Sequence, residues 1–224
     1  MRAKRQIMSR SFVCPDQTCR LCPRLASFLE KNRTLYPDFF NAPVPSLGDL
    51  DGVLLIVGLA PGLKGANRTG RPFTGDFAGD LLYSRLHDFG FSTGVYQARP
   101  DDGVKLVNAR LTNAVRCVPP ENKPTGEEVK ACGKFLKQEI EAMPNLKVIL
   151  VLGSLAHNAV LSVLGQKKSD FKFAHNALHT LKWNGKEILL LDTYHTSRYN
   201  VNTGKLTPEM FTAVFKTLSK AIKA

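Results

Sequence analysis

Two short apolar runs, Val53-Leu-Leu-Ile-Val57 and the stretch from Lys147 to Leu152, most restrict what this chain can fold into. Both are of strand length, and apolar side chains on either side mark them as strands buried on both faces. The rest of the sequence alternates around them. Phe77 to Phe89 reads as a helix with Leu81, Leu82 and Leu86 on one face, and Leu106 to Val115 as a second strand. Thr125 opens a helix, because Glu128 completes a Thr-x-x-Glu capping box. Gly153 ends the strand at 147–152, and a helix continues through Leu164. Trp183-Asn184-Gly185-Lys186 is a hairpin-like turn into a strand from Glu187 to Leu191. Thr207-Pro208 starts a last helix, with Phe211, Val214, Phe215, Leu218 and Ile222 at helical spacing. Strands alternating with helices predict one α/β domain around a mostly parallel sheet, with no repeat or interior linker dividing residues 1–224.

Ligands of such folds gather where the parallel strands end. There the first strand opens into GLAPGLKGANRTGRPFTGD, residues 58–76, a loop rich enough in glycine for backbone to approach a ligand closely. It is not a P-loop, because Leu63 occupies the position of the second glycine. It is not a Rossmann loop either, since no Gly-x-Gly-x-x-Gly occurs in it.

Charge narrows the partner. Lys and Arg number 31 against 19 Asp and Glu, a net +12 that favours a polyanion, with nucleic acid first; the alternative is a basic surface that only keeps the protein in solution. No apolar run approaches the roughly 20 residues of a membrane span. The N-terminal MRAKRQIMSRSF lacks the apolar core of a secretory signal, so a cytoplasmic setting is expected.

Five cysteines in an intracellular chain argue against a disulfide framework. Cys19 and Cys22 form a C-x-x-C pair, and Cys117 and Cys132 follow far downstream with 14 residues between them. Four thiolates in two clusters can hold zinc or an iron–sulfur cluster. Cys14 adds a C-x4-C-x2-C spacing like that of plant-type ferredoxins, and Cys117 and Cys132 also fit as plain buried residues.

Four segments, in order, resemble one family: CRLCPRL (19–25), the loop at 58–76, LTNAVRCVPPENKPTGEE (111–128) and YHTSRYNVNTGKLTPEMF (194–211). The chain resembles the iron–sulfur uracil-DNA glycosylases, and among them the family 5 (type b) enzymes of bacteria and archaea. The resemblance implies an α/β/α sandwich of three layers around a short, mostly parallel central sheet. It also implies a [4Fe-4S] cluster on Cys19, Cys22, Cys117 and Cys132 that ties an N-terminal segment, residues 1–30, to the body and leaves Cys14 spare. The expected activity is flipping a deaminated base out of double-stranded DNA and hydrolysing its N-glycosidic bond, by a monomer and without strand cleavage.

The resemblance also implies roles. Gly58, Gly62 and Gly65 would let backbone amides approach the base and the DNA backbone, with Ala60 also binding the substrate, Phe73 would stack on the base, and Asn113 would read its polar edge. His195 would donate to the oxygen that gains charge as the base departs. Asp76 would position water and oppose the positive sugar, since Leu59 stands where family 4 enzymes carry an acidic residue. Lys64, Arg68, Arg71, Ser197 and Arg198 would contact the DNA backbone. The chain departs from the family at Gly62, where alanine is usual, at Lys64, where histidine is common, and at Thr196, which replaces a proline and would loosen the backbone after His195. Taken singly, Asp76 fits a helix cap, Phe73 a core residue, Asn113 a turn and His195 a satisfied strand-end histidine. His87, His157, His175 and His179 have no motif around them and read as structural. Two rivals remain: a uracil-only glycosylase like family 4, and an iron–sulfur DNA-binding protein without catalysis.

Overall fold

The computed structural model describes residues 12–223; the basic stretch 1–11, the start of the N-terminal segment, lies outside the described residues. In chain order come α1 (Pro23–Leu35), β1 (Leu54–Gly58), α2 (Ala66–Thr69), α3 (Phe77–Asp88), β2 (Ser92–Thr93), β3 (Lys105–Leu106), β4 (Ala109–Asn113) and α4 (Gly126–Ala142). They are followed by β5 (Val148–Leu152), α5 (Ser154–Val163), β6 (Leu178–Trp183), β7 (Lys186–Thr193), α6 (Arg198–Asn202) and α7 (Pro208–Lys223).

Both apolar runs become central strands because each must feed two cores. Leu54 and Ile56 of β1 pack with Leu82 and Leu86 of α3 and with Phe211, Val214 and Phe215 of α7. Their neighbours Leu55 and Val57 pack on the opposite face with Leu136 and Ile140 of α4 and Val160 of α5. The result is a three-layer sandwich around a five-stranded sheet of order β4-β1-β5-β7-β6, parallel except for β6. The Asn184-Gly185 turn closes the β6–β7 hairpin with both residues at positive φ (49° and 72°), the geometry that tight hairpins prefer. Both bonds of the Thr125/Glu128 capping box form at the start of α4.

One expected strand divides. Residues 106–115 do not run straight: Lys105 and Leu106 pair antiparallel with β2, and Asn108 (φ 52°) turns the chain before β4 joins the main sheet beside β1. Five elements had no clear sequence signal: α1, α2, β2, α6 and the edge strand β6. Leu25 and Leu29 bury one side of α1, and Arg24 reaches the body by a bidentate bond to Glu128 of α4. Behind β4, Glu139 is fully buried and bonded to Arg110, Arg116 and Thr112, which fixes the strand to α4. Burial opposes charge on Glu139, but the two arginines outweigh it and hold the carboxyl below its ordinary range.

Among the described residues, no helix is long and apolar enough to cross a membrane.

Candidate active site

β1, β4, β5 and β7 run parallel, so their C-terminal ends share one edge of the sheet, where the loops that leave them enclose a cleft of about 980 Å³. Ala60, Gly62, Lys64, Phe73, Asp76, Asn113, His195, Ser197 and Arg198 all line it. Residues up to 138 positions apart in sequence thus meet at one place.

The glycines of the opening loop make room for side chains. A Cβ on Gly58 would lie 2.5 Å from Asn113 Oδ1 and 2.6 Å from Phe73 Cζ, so ring and amide meet over its bare Cα. Gly58 is therefore buried beneath the site instead of offering its amide to the cleft, which corrects the expectation for this residue. A Cβ on Gly65 would intrude on the Asp76 carboxylate, 2.7 Å from Cγ, and one on Gly62 would approach Oδ2 to 3.1 Å.

Phe73 is held in the left-handed region at φ 52°, an uncommon conformation for an aromatic residue and a costly one. Its surroundings enforce it. The Phe73 carbonyl accepts from the Tyr96 hydroxyl (3.2 Å), and that same carbonyl would clash with any side chain on Gly79. Arg71 braces the loop from below: its two terminal nitrogens bond Asp102 at 2.6 and 2.7 Å, Nε bonds Thr74, and Tyr83 and Tyr96 flank the guanidinium at 5.2 and 5.6 Å. The Arg71 bond and two backbone amides hold the Asp102 carboxyl far below the usual range. Arg71 is buried and its charge neutralised, so the expectation that it meets a DNA phosphate is corrected. Arg68 is exposed on α2 outside the cleft lining, donates to the Gly75 carbonyl (3.2 Å), and places its charge near Asp76.

Asp76 is both a helix cap and a cleft residue. Oδ1 accepts from the Ala78 amide (3.2 Å) at the start of α3, and Oδ2 lies over Gly62 and Gly65. Burial raises its carboxyl above the ordinary value, although the Ala78 and Gly79 amides pull the other way. His195 enters from the end of β7 and is half-buried; burial holds its pKa below the usual value, so the imidazole is neutral at neutral pH. Asn200 donates to the His195 carbonyl (2.8 Å), and the Ser197 hydroxyl caps α6 by accepting from the Asn200 amide (3.4 Å). Thr196 does not loosen this segment: it is fully buried and its hydroxyl donates to the Ala78 carbonyl (3.0 Å). That bond ties the His195 loop to the turn that Asp76 caps.

Sequence reasoning missed Phe173, Asn122, Ser154 and Leu155, which also line the cleft. Gly153-Ser154 could have been found as the exit of a buried strand. Phe173 carries no periodic signal at all. It is presented by a loop fastened to Asp192 of β7, which accepts from the Ala174 amide (3.3 Å), from His179 (3.1 Å) and from His157 (2.7 Å).

Cys19, Cys22, Cys117 and Cys132 share one small pocket with Leu25, Val115 and Phe135, where α1 meets α4, and Cys14 does not line it. Burial first, and then the neighbouring thiols, push Cys22 up to about 11 and Cys117 up to about 12. Crowded thiolates in an apolar pocket need a cationic group among them. Four thiol donors gathered in one pocket fit a thiolate-ligated metal centre, zinc or an iron–sulfur cluster.

With this geometry in hand, known proteins give a consistent comparison. The profile of the Uracil DNA glycosylase superfamily matches residues 45–219. A type-5 uracil-DNA glycosylase of Thermus thermophilus is 43% identical over 209 residues, covering 91% of this chain and 94% of that protein. A type-5 enzyme of Pyrobaculum aerophilum is 39% identical over 209 residues, covering 92% and 89%. A type-4 uracil-DNA glycosylase of Sulfurisphaera tokodaii is 30% identical over 177 residues, covering 77% and 73%. The chain belongs to the uracil-DNA glycosylase superfamily and, within it, to the type-5 enzymes.

Proposed function

We propose that this protein removes uracil, and also hypoxanthine and xanthine, from double-stranded DNA by hydrolysing the N-glycosidic bond, leaving an abasic site in an unbroken strand. The observation that carries this reading is that Asp76 is the one carboxylate among the residues lining the cleft and shares it with His195. A base inside a duplex is out of reach, so the nucleotide must swing into the cleft. Phe73, held rigidly in place, offers a face for the base, and the Asn113 amide offers a donor and an acceptor for its edge. As the C1′–N bond breaks, its electron pair leaves with the base and positive charge develops on the sugar. The neutral His195 imidazole donates a hydrogen bond to the base oxygen that gains charge. Asp76 Oδ2 orients a water towards C1′ and opposes the sugar's charge; the water oxygen bonds C1′, and its proton passes by way of Asp76 to the departed base anion, leaving a C1′ hydroxyl and the neutral base. Fixed groups of this kind stabilise a transition state without having to reorganise.

Breadth beyond uracil follows from Leu59. With no carboxylate at that position, the site works by assisting departure of the leaving group, which several deaminated bases share. Cys19, Cys22, Cys117 and Cys132 would hold a [4Fe-4S] cluster, whose chemistry here is to bind α1 to the body. Lys64, Arg198 and Lys205 line the cleft and supply charge for phosphates.

The test is incubation with duplexes carrying uracil, hypoxanthine or xanthine, resolved with and without alkali. Breaks that appear only after alkali, for all three bases, are expected. Release of uracil alone would favour the type-4 pattern, and breaks without alkali would point to a lysine nucleophile such as Lys64.

A further inference from the structure

A second groove, of about 820 Å³, leaves the catalytic cleft and runs between α4 and α5. The two are continuous, because Leu59 and Leu155 line both. Its floor is apolar where the helices approach closely: a Cβ on Gly133 would lie 2.9 Å from Val163. Its sides carry Lys130, Lys134 and Lys137 from α4 and Lys168 from the turn after α5, and no lining residue is acidic. All four lysines are exposed, and none has a carboxylate partner among the described residues. By contrast, Lys123 and Lys167 nearby each face an acid, Glu121 at 3.6 Å and Asp170 at 3.9 Å. Lys130, Lys134 and Lys137 recur at helical spacing, so they form a line on one face of α4.

We propose that this groove binds the phosphodiester backbone of one strand in the duplex arm beside the lesion. The inference rests on the DNA-glycosylase reading of the cleft. From Lys130 to Lys137 the helix rises about 10 Å. One DNA strand advances about 3.4 Å per nucleotide along the duplex axis, so a line of this length along that axis spans about three nucleotide steps. α4 runs from the C-terminal edge of the sheet towards its opposite edge, so a strand that follows the lysines turns down the side of the molecule. Phosphate recognition by a row of ammonium groups without carboxylate partners, of which Lys134 rests over the Phe135 ring, carries no base preference. The groove therefore adds affinity and fixes which arm of the duplex is gripped, and it leaves the choice of base to the cleft.

The experiment compares wild type with the triple variant Lys130→Gln/Lys134→Gln/Lys137→Gln and with the triple Lys→Arg variant, using duplexes that contain uracil or an abasic site. Arms are shortened separately on the two sides of the lesion. The Gln variant is expected to lower the salt slope of abasic-DNA binding by about 0.9 per lost contact, and only while one particular arm is long. The Arg variant retains the wild-type slope. Single-turnover uracil release at saturating enzyme stays unchanged in both. An unaltered slope with long arms, or a loss independent of arm length on either side, overturns the proposal. Absence of uracil release by wild type would instead count against the glycosylase reading, so the two failures are separable.

Discussion

Asp76 is both a helix cap and a cleft residue, because its two oxygens have different surroundings. Oδ1 caps α3 and Oδ2 faces the cleft over Gly62 and Gly65. Burial raises its carboxyl, which means that the folded state binds the proton more tightly than the unfolded chain does. Ionisation of Asp76 therefore lowers stability. The loss begins as pH rises through the unfolded value, is complete above the raised folded value, and is fully present at neutral pH. Asn caps a helix about as well as Asp does. Asp76→Asn is accordingly expected to melt no lower than wild type, and its single-turnover rate should fall by roughly 100- to 1000-fold, the loss of one preorganised electrostatic group. The acid limb of the wild-type rate profile should lie above the ordinary aspartate value near 3.9 and disappear in the variant. Affinity for abasic DNA should change little, since the lost interaction belongs to the transition state. A near-normal rate would leave Asp76 as a cap alone. The sequence shows the cap, because Asp precedes a helical pattern. It does not show Phe73 at positive φ or Thr196 bonded to Ala78, since both depend on residues far away in the chain.

At the scale of elements, the end of β7 is held by charge as well as by the sheet. His157 on α5 faces Asp192 Oδ1 through Nδ1 (2.7 Å) and the Phe171 carbonyl through Nε2 (2.9 Å). With Asp192 ionised both partners only accept, so His157 satisfies both only as an imidazolium. Burial opposes that charge, but the hydrogen bond to Asp192 and its negative charge outweigh burial and raise the pKa above its usual value. His179 of β6 donates to the other Asp192 oxygen, which places two imidazoles around one carboxylate. A raised folded-state pKa gives stability that is complete below the unfolded value near 6.5 and is lost as pH rises through the folded value. Thermal melts of wild type from pH 6 to 9 should show this loss, with a slope of at most about 1.4 kcal/mol per pH unit for one proton. His157→Phe should be less stable at pH 6, and its deficit should shrink towards pH 9. Parallel curves would mean that His157 does not carry the charge. The sequence offered no motif for His157 or His179, because their partner lies 35 and 13 residues away and only the sheet brings them together.

For the whole molecule, the sandwich was legible because its signals are local: apolar runs of strand length, a capping box, an Asn-Gly turn and one amphipathic last helix. The attachment of the N-terminal segment was legible only through its cysteines, which the structure brings to one pocket. α1 meets the body through buried Leu25, Ala26, Leu29 and Asn32, the Arg24–Glu128 pair, the hydrogen bonds of Arg33 and Asn32 with Asn41, and the four cysteines at its base. Arg24 is 43% exposed, and exposed pairs contribute about 1 kcal/mol or less. The cysteine site would be the strongest of these ties once it holds a metal centre. If it holds [4Fe-4S], the purified protein should absorb visible light, whereas a zinc protein would be colourless. Cys132→Ser should lose iron and colour and expose α1 to protease, because Cys132 is the buried ligand on α4 and Cys19 and Cys22 lie at the start of α1. Cys14→Ser should keep both iron and colour, since Cys14 does not line the pocket. A colourless, zinc-loaded wild type with full activity would replace the cluster by zinc. Iron loss in Cys14→Ser would instead move a ligand to Cys14. If Cys132→Ser keeps α1 protected from protease after losing its iron, the apolar contacts of Leu25 and Leu29 hold the segment without the cluster.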